Sequence, residues 1–265
     1  MTADNGVVAA LRRLVLNLLP KVALSRTTGL LARAPLPRQL RPLVYRTFAR
    51  RYGVLLTEMH GELGSFRSLA AFFQRPLRPG ARPLAAVPLV WPCDGRIVTA
   101  GPLHGERIEQ VKGSDYALAD LVGDQALARA LAGGSQATIY LAPGDYHRVH
   151  APFAGLLQAV RALPGTLFPV NPAAVGCIRG LFPRNARHVF HFRLGCGRSA
   201  AVVMVAAFNV GDTTVTAATG ARLAAGEELG RFGFGSTVVA IVGAGEPAFA
   251  AAAPGQRVRC GADAL

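Results

Sequence analysis

An α+β fold is predicted from the sequence, with N-terminal amphipathic helices on a mainly antiparallel β-sandwich or barrel-like core. The 265 residues are 51% hydrophobic and 17% charged, which supplies enough apolar material for a large buried core. From about residue 83 onward, short apolar runs alternate with Gly and Pro turns, a pattern typical of antiparallel strands. Residues 1–60 instead carry apolar side chains at helical spacing.

The N-terminal helices are strongly basic. Residues 1–54 contain ten Lys or Arg side chains and one acid, and so carry most of the net charge of +14. Leu16 lies off their apolar face, and Pro20 bends the helix, so the amphipathicity is imperfect. The face itself consists of Val7, Leu11, Leu14, Val15, Leu18 and Val22.

This segment has two interpretations that its residues alone do not separate. It either lies in the headgroup layer of an anionic membrane or packs against the core with a solvated basic face. No apolar run reaches the roughly 18 residues that a membrane span needs. Nucleic acid is not an expected partner, because no base-stacking aromatic pattern or binding motif accompanies the charge. We therefore expect a basic, membrane-associating helical segment over residues 1–60 and a β-rich body over residues 61–265.

The body is predicted to begin with a short capped helix over residues 65–73, which ends before Pro76. One helical insert is expected over residues 116–134. The other apolar runs predict strands, and they read "LVWP", "RIVTA", "ATIYLAP", "RVHAPF", "LLQAVRAL", "HVFHFRL", "AAVVMVAAFNVG", "TTVTAAT" and "STVVAIVG".

The four cysteines are widely spread, without a C-x-x-C pair or a secretory signal ahead of them. This usage indicates reduced thiols in a cytosolic compartment. They are Cys93, Cys177, Cys196 and Cys260.

The stretch "YLAPGDYHRVHAPFAG" concentrates ionisable groups, with Asp145, His147 and His150 within six positions. In an extended strand Asp145 and His147 would share a face, and an Asp beside a His stabilises the charged imidazole. The alternative is a polar strand edge with solvated histidines. A metal site is not expected, because His-x-x-His lacks further ligands at suitable spacing.

Two further residues complete the elements of an Asp-His-Ser relay. Asp94 in "WPCDGRIV" is either a turn residue before a strand or the carboxylate that orients a histidine. Ser236 follows Gly235 and precedes Thr237 at the entry of an apolar strand. A G-x-S-x-G elbow, the usual setting of a hydrolase serine, is absent from the sequence. The residues alone thus indicate only a possible serine nucleophile.

Seven segments together resemble bacterial phosphatidylserine decarboxylase proenzymes in order and approximate spacing, over nearly the whole chain. Departures from the family pattern are Phe234 for Leu, Ala186 for Glu, Ala206 for Gly and a shortened segment over 212–227. The segments are "FFQRPLRPGARPL", "WPCDGRI", "VKGSDYALADLVG", "YLAPGDYHRVHAPFAG", "GTLFPVNP", "LFPRNARHV" and "ELGRFGFGSTVV".

The resemblance implies a self-processing, pyruvoyl-dependent enzyme. Cleavage between Gly235 and Ser236 gives a large chain of residues 1–235 and a small chain of residues 236–265. Ser236 becomes a covalent pyruvoyl group, which forms a Schiff base with the substrate amine and so converts phosphatidylserine to phosphatidylethanolamine and carbon dioxide. Gly235 suits the attack because it has no side chain to obstruct it.

Roles for the polar residues also follow from the resemblance. Asp94, His150 and Ser236 are expected to form the relay for self-cleavage, with His147 nearer the decarboxylation step and Asp145 supporting one of the histidines. The sequence does not separate the two histidines.

The expected partners are the phospholipid substrate, an anionic membrane surface, the two chains of one precursor and a second processed protomer in a homodimer. The expected location is peripheral, on the cytoplasmic side of the cell membrane. Alternatives are an unprocessed, non-catalytic membrane-bound β-sandwich, a pyruvoyl decarboxylase of another amine and, less favoured, a plain serine hydrolase.

Overall fold

The structure is a computed structural model, and it describes residues 21–265 except positions 112, 196, 208–212, 234–235 and 246, with only the helical backbone described over 21–26. Its centre is an eight-stranded antiparallel sheet with the strand order β10-β6-β7-β8-β12-β4-β1-β13. These strands are β1 (Gly95–Pro102), β4 (Ser135–Leu141), β6 (Gly155–Leu163), β7 (Arg187–Leu194), β8 (Ser199–Ala206), β10 (Arg222–Leu223), β12 (Ser236–Val242) and β13 (Arg257–Val258).

Two smaller antiparallel sheets accompany the large one. A three-stranded sheet has the order β5-β11-β9, and a two-stranded sheet pairs β2 with β3. Their strands are β2 (Arg107–Val111), β3 (Ser114–Ala117), β5 (Arg148–His150), β9 (Thr213–Val215) and β11 (Glu228–Phe232). The predicted α+β class with a mainly antiparallel core is confirmed.

Seven helices are short and lie outside the sheets, within the part of the chain that the structure describes. Two 3₁₀ turns, Leu56–Glu58 and Leu63–Ser65, join the second helix to the third. The helices are α1 (Lys21–Arg33), α2 (Arg41–Tyr52), α3 (Leu69–Phe73), α4 (Leu118–Val122), α5 (Gln125–Leu131), α6 (Pro172–Cys177) and α7 (Leu181–Arg184).

The helix predicted over 65–73 begins later than expected. Ser65 lies in a 3₁₀ turn, where its hydroxyl donates to Glu62 O at 2.7 Å. Ser68 is the N-cap instead, because its Oγ accepts from Ala71 N at 3.2 Å.

The helical insert predicted over 116–134 is two helices. Gly123 adopts a left-handed conformation with φ of 66° and ends α4. Asp124 then caps α5, and its Oδ1 accepts from Ala126 N and Leu127 N. The sequence prediction missed α6 and α7, which are four to six residues long, although Asn171 and Pro172 are standard signals for a helix start.

Helix α2 packs on the body through a small apolar cluster of its own. Tyr45 stacks on Phe72 with ring centroids 4.7 Å apart, and its hydroxyl donates to Phe66 O at 2.8 Å. The cluster comprises Tyr45, Ala49, Val54, Met59 and Phe72. Its members lie on both sides of residue 60, and the predicted boundary there stays a prediction. Among the described helices, none has the length and hydrophobicity that a membrane span requires.

Strand β12 occupies the interior of the large sheet. All seven of its residues are buried, and each pairs with β4 on one side and β8 on the other. Residues 236–265 therefore contribute both an interior strand and, through β13, one edge of the sheet.

Candidate active site

Ser236 is the first residue of β12, and its backbone pairs with Leu141 on one side and Ala206 on the other. Ser236 and Thr237 are fully buried, and Ser236 Oγ and Thr237 Oγ1 have no hydrogen-bond partner among the described residues. A buried hydroxyl without a partner costs about 1–3 kcal/mol. Packing therefore does not explain a serine at this position.

The strand end opposite Ser236 is held by a buried amide. Asn185 Nδ2 donates to Ala206 O and to Phe168 O, both at 2.9 Å, and Asn185 Oδ1 accepts from Phe168 N at 2.9 Å. Because the Asn185 side chain is satisfied on both sides, it fixes the end of β8 that faces Ser236.

His147 lies just before β5 and is fully buried. Its backbone carbonyl accepts a hydrogen bond from Phe232 N at 3.0 Å, and Phe232 lies four residues before Ser236. Nδ1 bonds to the backbone oxygen of Asp145 at 2.9 Å, and Nε2 is buried without a partner among the described residues. Since a carbonyl only accepts, Nδ1 carries the hydrogen and Nε2 the lone pair. Burial, followed by the charge of Arg75, lowers the pKa of His147 to about 3.

His150, in β5, is engaged at both ring nitrogens. Nδ1 lies 2.8 Å from Gly226 O, and Nε2 lies 3.1 Å from Tyr146 Oη. Burial and the charge of Arg148 lower the pKa of His150, whereas the hydrogen bond to Gly226 O and the charges of Glu228 and Asp94 raise it. The imidazole is thus neutral, but acids close to it oppose the effect of burial.

Asp94 immediately precedes β1 and forms a nearly buried ion pair with Arg82. Asp94 Oδ1 accepts from Arg82 Nε at 2.8 Å, and Oδ2 accepts from Arg82 Nη2. Cys260 N, in the C-terminal part of the chain, also donates to Asp94 Oδ1 at 2.9 Å. The same guanidinium lies 2.9 Å from Glu58, so Arg82 joins two carboxylates.

Asp145 departs from the predicted strand geometry, because residues 142–145 form a turn instead of a strand. Asp145 Oδ2 accepts from Ala142 N at 2.8 Å, which closes the turn, and Oδ1 lies 3.3 Å from Arg257 Nη2. The contact with His147 is made by the Asp145 backbone oxygen and not by its carboxylate. Burial raises the pKa of Asp145.

A cavity of about 470 Å³ separates the N-terminal segment from the body. Asp94 and Asp145 both line it, whereas Ser236 opens a strand that is two places from β1 in the sheet. The charged lining residues are Glu58, Arg75, Arg82, Asp94, Asp145, Arg257 and Arg259. Three acids and four arginines line the cavity, which suits a ligand that carries both signs of charge.

Comparisons with known proteins identify the family. The family model described as phosphatidylserine decarboxylase matches residues 69–265. The phosphatidylserine decarboxylase proenzyme of Anaeromyxobacter sp. (strain K) is 43% identical over 280 residues and covers 97% of each chain. That of Halorhodospira halophila is 45% identical over 256 residues, covering 89% of this chain and 86% of the relative.

The chain belongs to the phosphatidylserine decarboxylase family. The resemblance noted in the sequence is thereby confirmed, and the chain is an enzyme. These relatives are named proenzymes.

Within this decarboxylase, none of the described hydrogen bonds joins the predicted relay residues Asp94, His150 and Ser236 to one another. Asp94 is bound by Arg82 and Cys260, and His150 by Gly226 and Tyr146. The relay of Asp94, His150 and Ser236 stays a prediction. Gly235 and Phe234 lie outside the described residues, as does part of the shortened 212–227 segment, so those predictions also stay open.

Sequence reasoning missed three supporting residues of the decarboxylase. Arg82 holds Asp94, Tyr146 contacts His150, and Arg75 binds the turn before His147. Arg75 and Arg82 belong to "FFQRPLRPGARPL", and Tyr146 to "DYHRVH". Those motifs were the available signal, but the contacts that pair these residues with their targets span 4 positions for Tyr146, 12 for Arg82 and about 70 for Arg75.

Proposed function

We propose that this decarboxylase cleaves itself between Gly235 and Ser236 and then converts phosphatidylserine to phosphatidylethanolamine and carbon dioxide. The observation that carries the proposal is the buried Ser236 hydroxyl, which lacks a partner among the described residues and opens an interior strand in a chain of this family. An unengaged hydroxyl in a dry environment is a candidate nucleophile for a neighbouring peptide carbonyl.

The self-cleavage proceeds by an acyl shift followed by elimination. Ser236 Oγ attacks the carbonyl carbon of Gly235; the peptide C–N bond breaks, which frees the Ser236 amine and leaves an ester. Removal of the Ser236 Cα proton breaks the Cβ–Oγ bond, so Gly235 leaves as a carboxylate and dehydroalanine remains on Thr237. Tautomerisation and addition of water then release ammonia and leave a pyruvoyl group on the Thr237 nitrogen.

The residues around Ser236 fit this group. Thr237 is fixed by pairing with Tyr140 and Val205, so the new terminus of the small chain stays anchored in the sheet after the cut. Once formed, the pyruvoyl group would supply an electron sink for loss of carbon dioxide from the substrate, and the paired backbone of Thr237 would hold it in place.

We assign His150 as the proton-transfer base of self-cleavage, with Asp94 behind it. The charges of Asp94 and Glu228 oppose the loss of basicity that burial imposes on His150, which supports this role. His147 is assigned to the decarboxylation step. Its Nε2 lone pair is buried and unengaged among the described residues, and it is able to accept or return a proton at the reacting carbon.

The lipid substrate requires contact with a membrane, and the N-terminal helices offer a suitable surface. Leu30, Leu31 and Leu43 are 68%, 71% and 66% exposed. Five exposed arginines lie on the same helices or between them, each worth about 1 kcal/mol near an anionic surface; they are Arg33, Arg38, Arg46, Arg50 and Arg51. We propose that this surface holds the enzyme at the cytoplasmic leaflet as a peripheral protein.

The homodimer implied by the family resemblance also stays a prediction. Light scattering of the processed protein in detergent measures its mass directly. A mass equal to one large chain plus one small chain would contradict the predicted homodimer.

The deciding experiment is an intact mass of the purified protein, followed by lipid mass spectrometry. We expect a small chain of 30 residues that begins with pyruvoyl, and ethanolamine lipid as the product from phosphatidylserine vesicles. Ser236→Ala is the matched control and must stay uncleaved. An intact wild-type chain indicates the non-catalytic alternative, and a processed chain that leaves phosphatidylserine unchanged indicates another amine substrate.

A further inference from the structure

We propose that Arg75 is a positioning residue for His147, which it holds neutral with the lone pair on Nε2. The inference rests on the role proposed above for His147 in decarboxylation. Arg75 does not touch the reacting atoms and acts through the backbone of the turn that carries His147.

Arg75 is an almost fully buried cation, 3% exposed, that binds backbone oxygens. Its Nη2 donates to Gly144 O at 2.9 Å and to Asp145 O at 3.3 Å, and its Nη1 donates to Phe73 O at 3.4 Å. The guanidinium also lies 5.6 Å from the centroid of the Phe72 ring. These contacts tie the end of α3 to the 142–145 turn, about seventy positions away.

Arg75 and His147 share one hydrogen-bond acceptor, the backbone oxygen of Asp145. Asp145 O accepts from Arg75 Nη2 and also from His147 Nδ1 at 2.9 Å. Because this carbonyl is fixed by Arg75, it holds the Nδ1 hydrogen in place and selects the tautomer with the lone pair on Nε2. The ring of Phe73 packs on the imidazole with centroids 4.0 Å apart, so the ring plane is fixed as well.

The charge of Arg75 also favours the neutral imidazole, and it opposes the hydrogen bond to Asp145 O, which raises the pKa of His147. A cation close to the imidazole disfavours a second positive charge and lowers the pKa of His147, in addition to the effect of burial. Asp145 contributes its backbone oxygen, while Phe73 and Phe232 are not ionisable. Arg75 is thus the charged side chain that favours the neutral form of His147 beside the Asp145 carbonyl.

Lysine does not replace Arg75 in this role, although it keeps the charge. A planar guanidinium reaches three carbonyls from one position, whereas an ammonium is a point donor on a flexible stem. We therefore expect Arg75→Lys to keep the fold but release the Asp145 carbonyl.

The test compares Arg75→Lys with Arg78→Lys, an exposed control on the same segment whose Nε donates to Met59 O at 3.0 Å. Nitrogen-15 NMR of histidine-labelled, uncleaved Ser236→Ala protein reports the tautomer and titration of His147, with His147→Gln as the assignment variant. We expect Arg75→Lys to give mixed His147 tautomers and a changed titration of His147, and Arg78→Lys to match the parent.

In the processed enzymes, we expect Arg75→Lys to lower kcat for decarboxylation roughly tenfold to a hundredfold, as misplacement of a catalytic group does. The pH profile should shift while KM is retained. A single Nδ1–H tautomer and an unchanged pH profile in Arg75→Lys overturn the inference. The tautomer is read in the uncleaved chain, so failure of the proposed activity leaves this test intact.

Discussion

Cys260 N donates a 2.9 Å hydrogen bond to Asp94 Oδ1, and this contact joins residues 166 positions apart, on opposite sides of the proposed cut. The same carboxylate is bound by Arg82. Asp94 therefore has two structural partners in addition to its expected role in the relay. After cleavage, the contact becomes one between the large and small chains.

We expect Asp94→Asn to destabilise the protein and slow self-cleavage. The ion pair of Arg82 with Asp94 is nearly buried, with both side chains 11% exposed, and removing one charge of such a pair costs about 3 kcal/mol. Chemical denaturation of the uncleaved Ser236→Ala chain, with and without Asp94→Asn, measures this loss. A denaturing gel over time measures cleavage.

Asp115→Asn is the matched control for the Asp94 prediction. Its partner Arg107 lies 2.6 Å away, but both side chains are about half exposed, at 51% and 52%. Loss of an exposed pair costs little, because water and salt screen its attraction. Equal effects of the two substitutions on unfolding would contradict the importance given to the Asp94 contacts.

The two histidines are predicted to separate the two reactions. His150→Ala should leave the chain uncleaved, because the base that activates Ser236 is gone. His147→Ala should still cleave but should lose decarboxylation by at least about a hundredfold, in the range expected for a lost general acid or base. Gel analysis and carbon dioxide release measure the two steps, with the exposed His60→Ala as control. Unimpaired cleavage in His150→Ala would show that His150 is not the base for self-cleavage.

Acid should destabilise the protein partly through His147. The unfolded imidazole binds a proton near pH 6.5, whereas burial lowers the pKa of folded His147 to about 3. Between these values the unfolded state holds one more proton, so stability falls with decreasing pH by about 1.4 kcal/mol per unit. Urea titrations at pH 7.5, 6 and 5 should show a shallower loss in His147→Gln than in its parent, both on Ser236→Ala. Parallel pH dependences would contradict this, since the other histidines are common to both proteins.

Membrane binding should depend on the exposed leucines of α1 and α2. Replacing Leu30, Leu31 and Leu43 by Gln removes apolar area worth about 1.5–3 kcal/mol per side chain on full burial. Flotation with anionic vesicles should therefore fall at least tenfold, and binding of the parent should weaken with salt. The control variant is Leu84→Gln, which changes a leucine on the body that is 52% exposed. This variant should bind vesicles as the parent does. Unchanged flotation of the triple variant would place the membrane contact elsewhere.

Much of the fold was predictable because its signals are local. Strand β12 is a short apolar run after a glycine-rich entry. The break between α4 and α5 at Gly123 and Asp124 also has local signals, but the sequence analysis predicted a single insert there. The helix start was misplaced at Ser65 because two serines three positions apart offered the same cap, and only the contact of Ser68 with Ala71 distinguishes them. Short helices such as α7 carry too few residues for a periodic signal.

The candidate site was predictable in its residue types but not in its bonds. Asp145 and His147 were expected to share a strand face through a carboxylate contact. The Asp145 carboxylate instead accepts a hydrogen bond from Ala142 N, which closes a turn. The backbone oxygen of Asp145 therefore contacts the imidazole of His147. A competing local hydrogen bond of this kind is invisible to a strand pattern.

By itself, the sequence determined the α+β class and the family, because these depend on local periodicity and on ordered motifs. Only the tertiary structure decided that Arg82 and Cys260 bind Asp94, and that Arg75 reaches the carbonyl beside His147. The reason is the strand order, which brings β12 between β4 and β8 and β13 against β1. Contacts between distant segments arise from that order and from burial, and no local pattern encodes them.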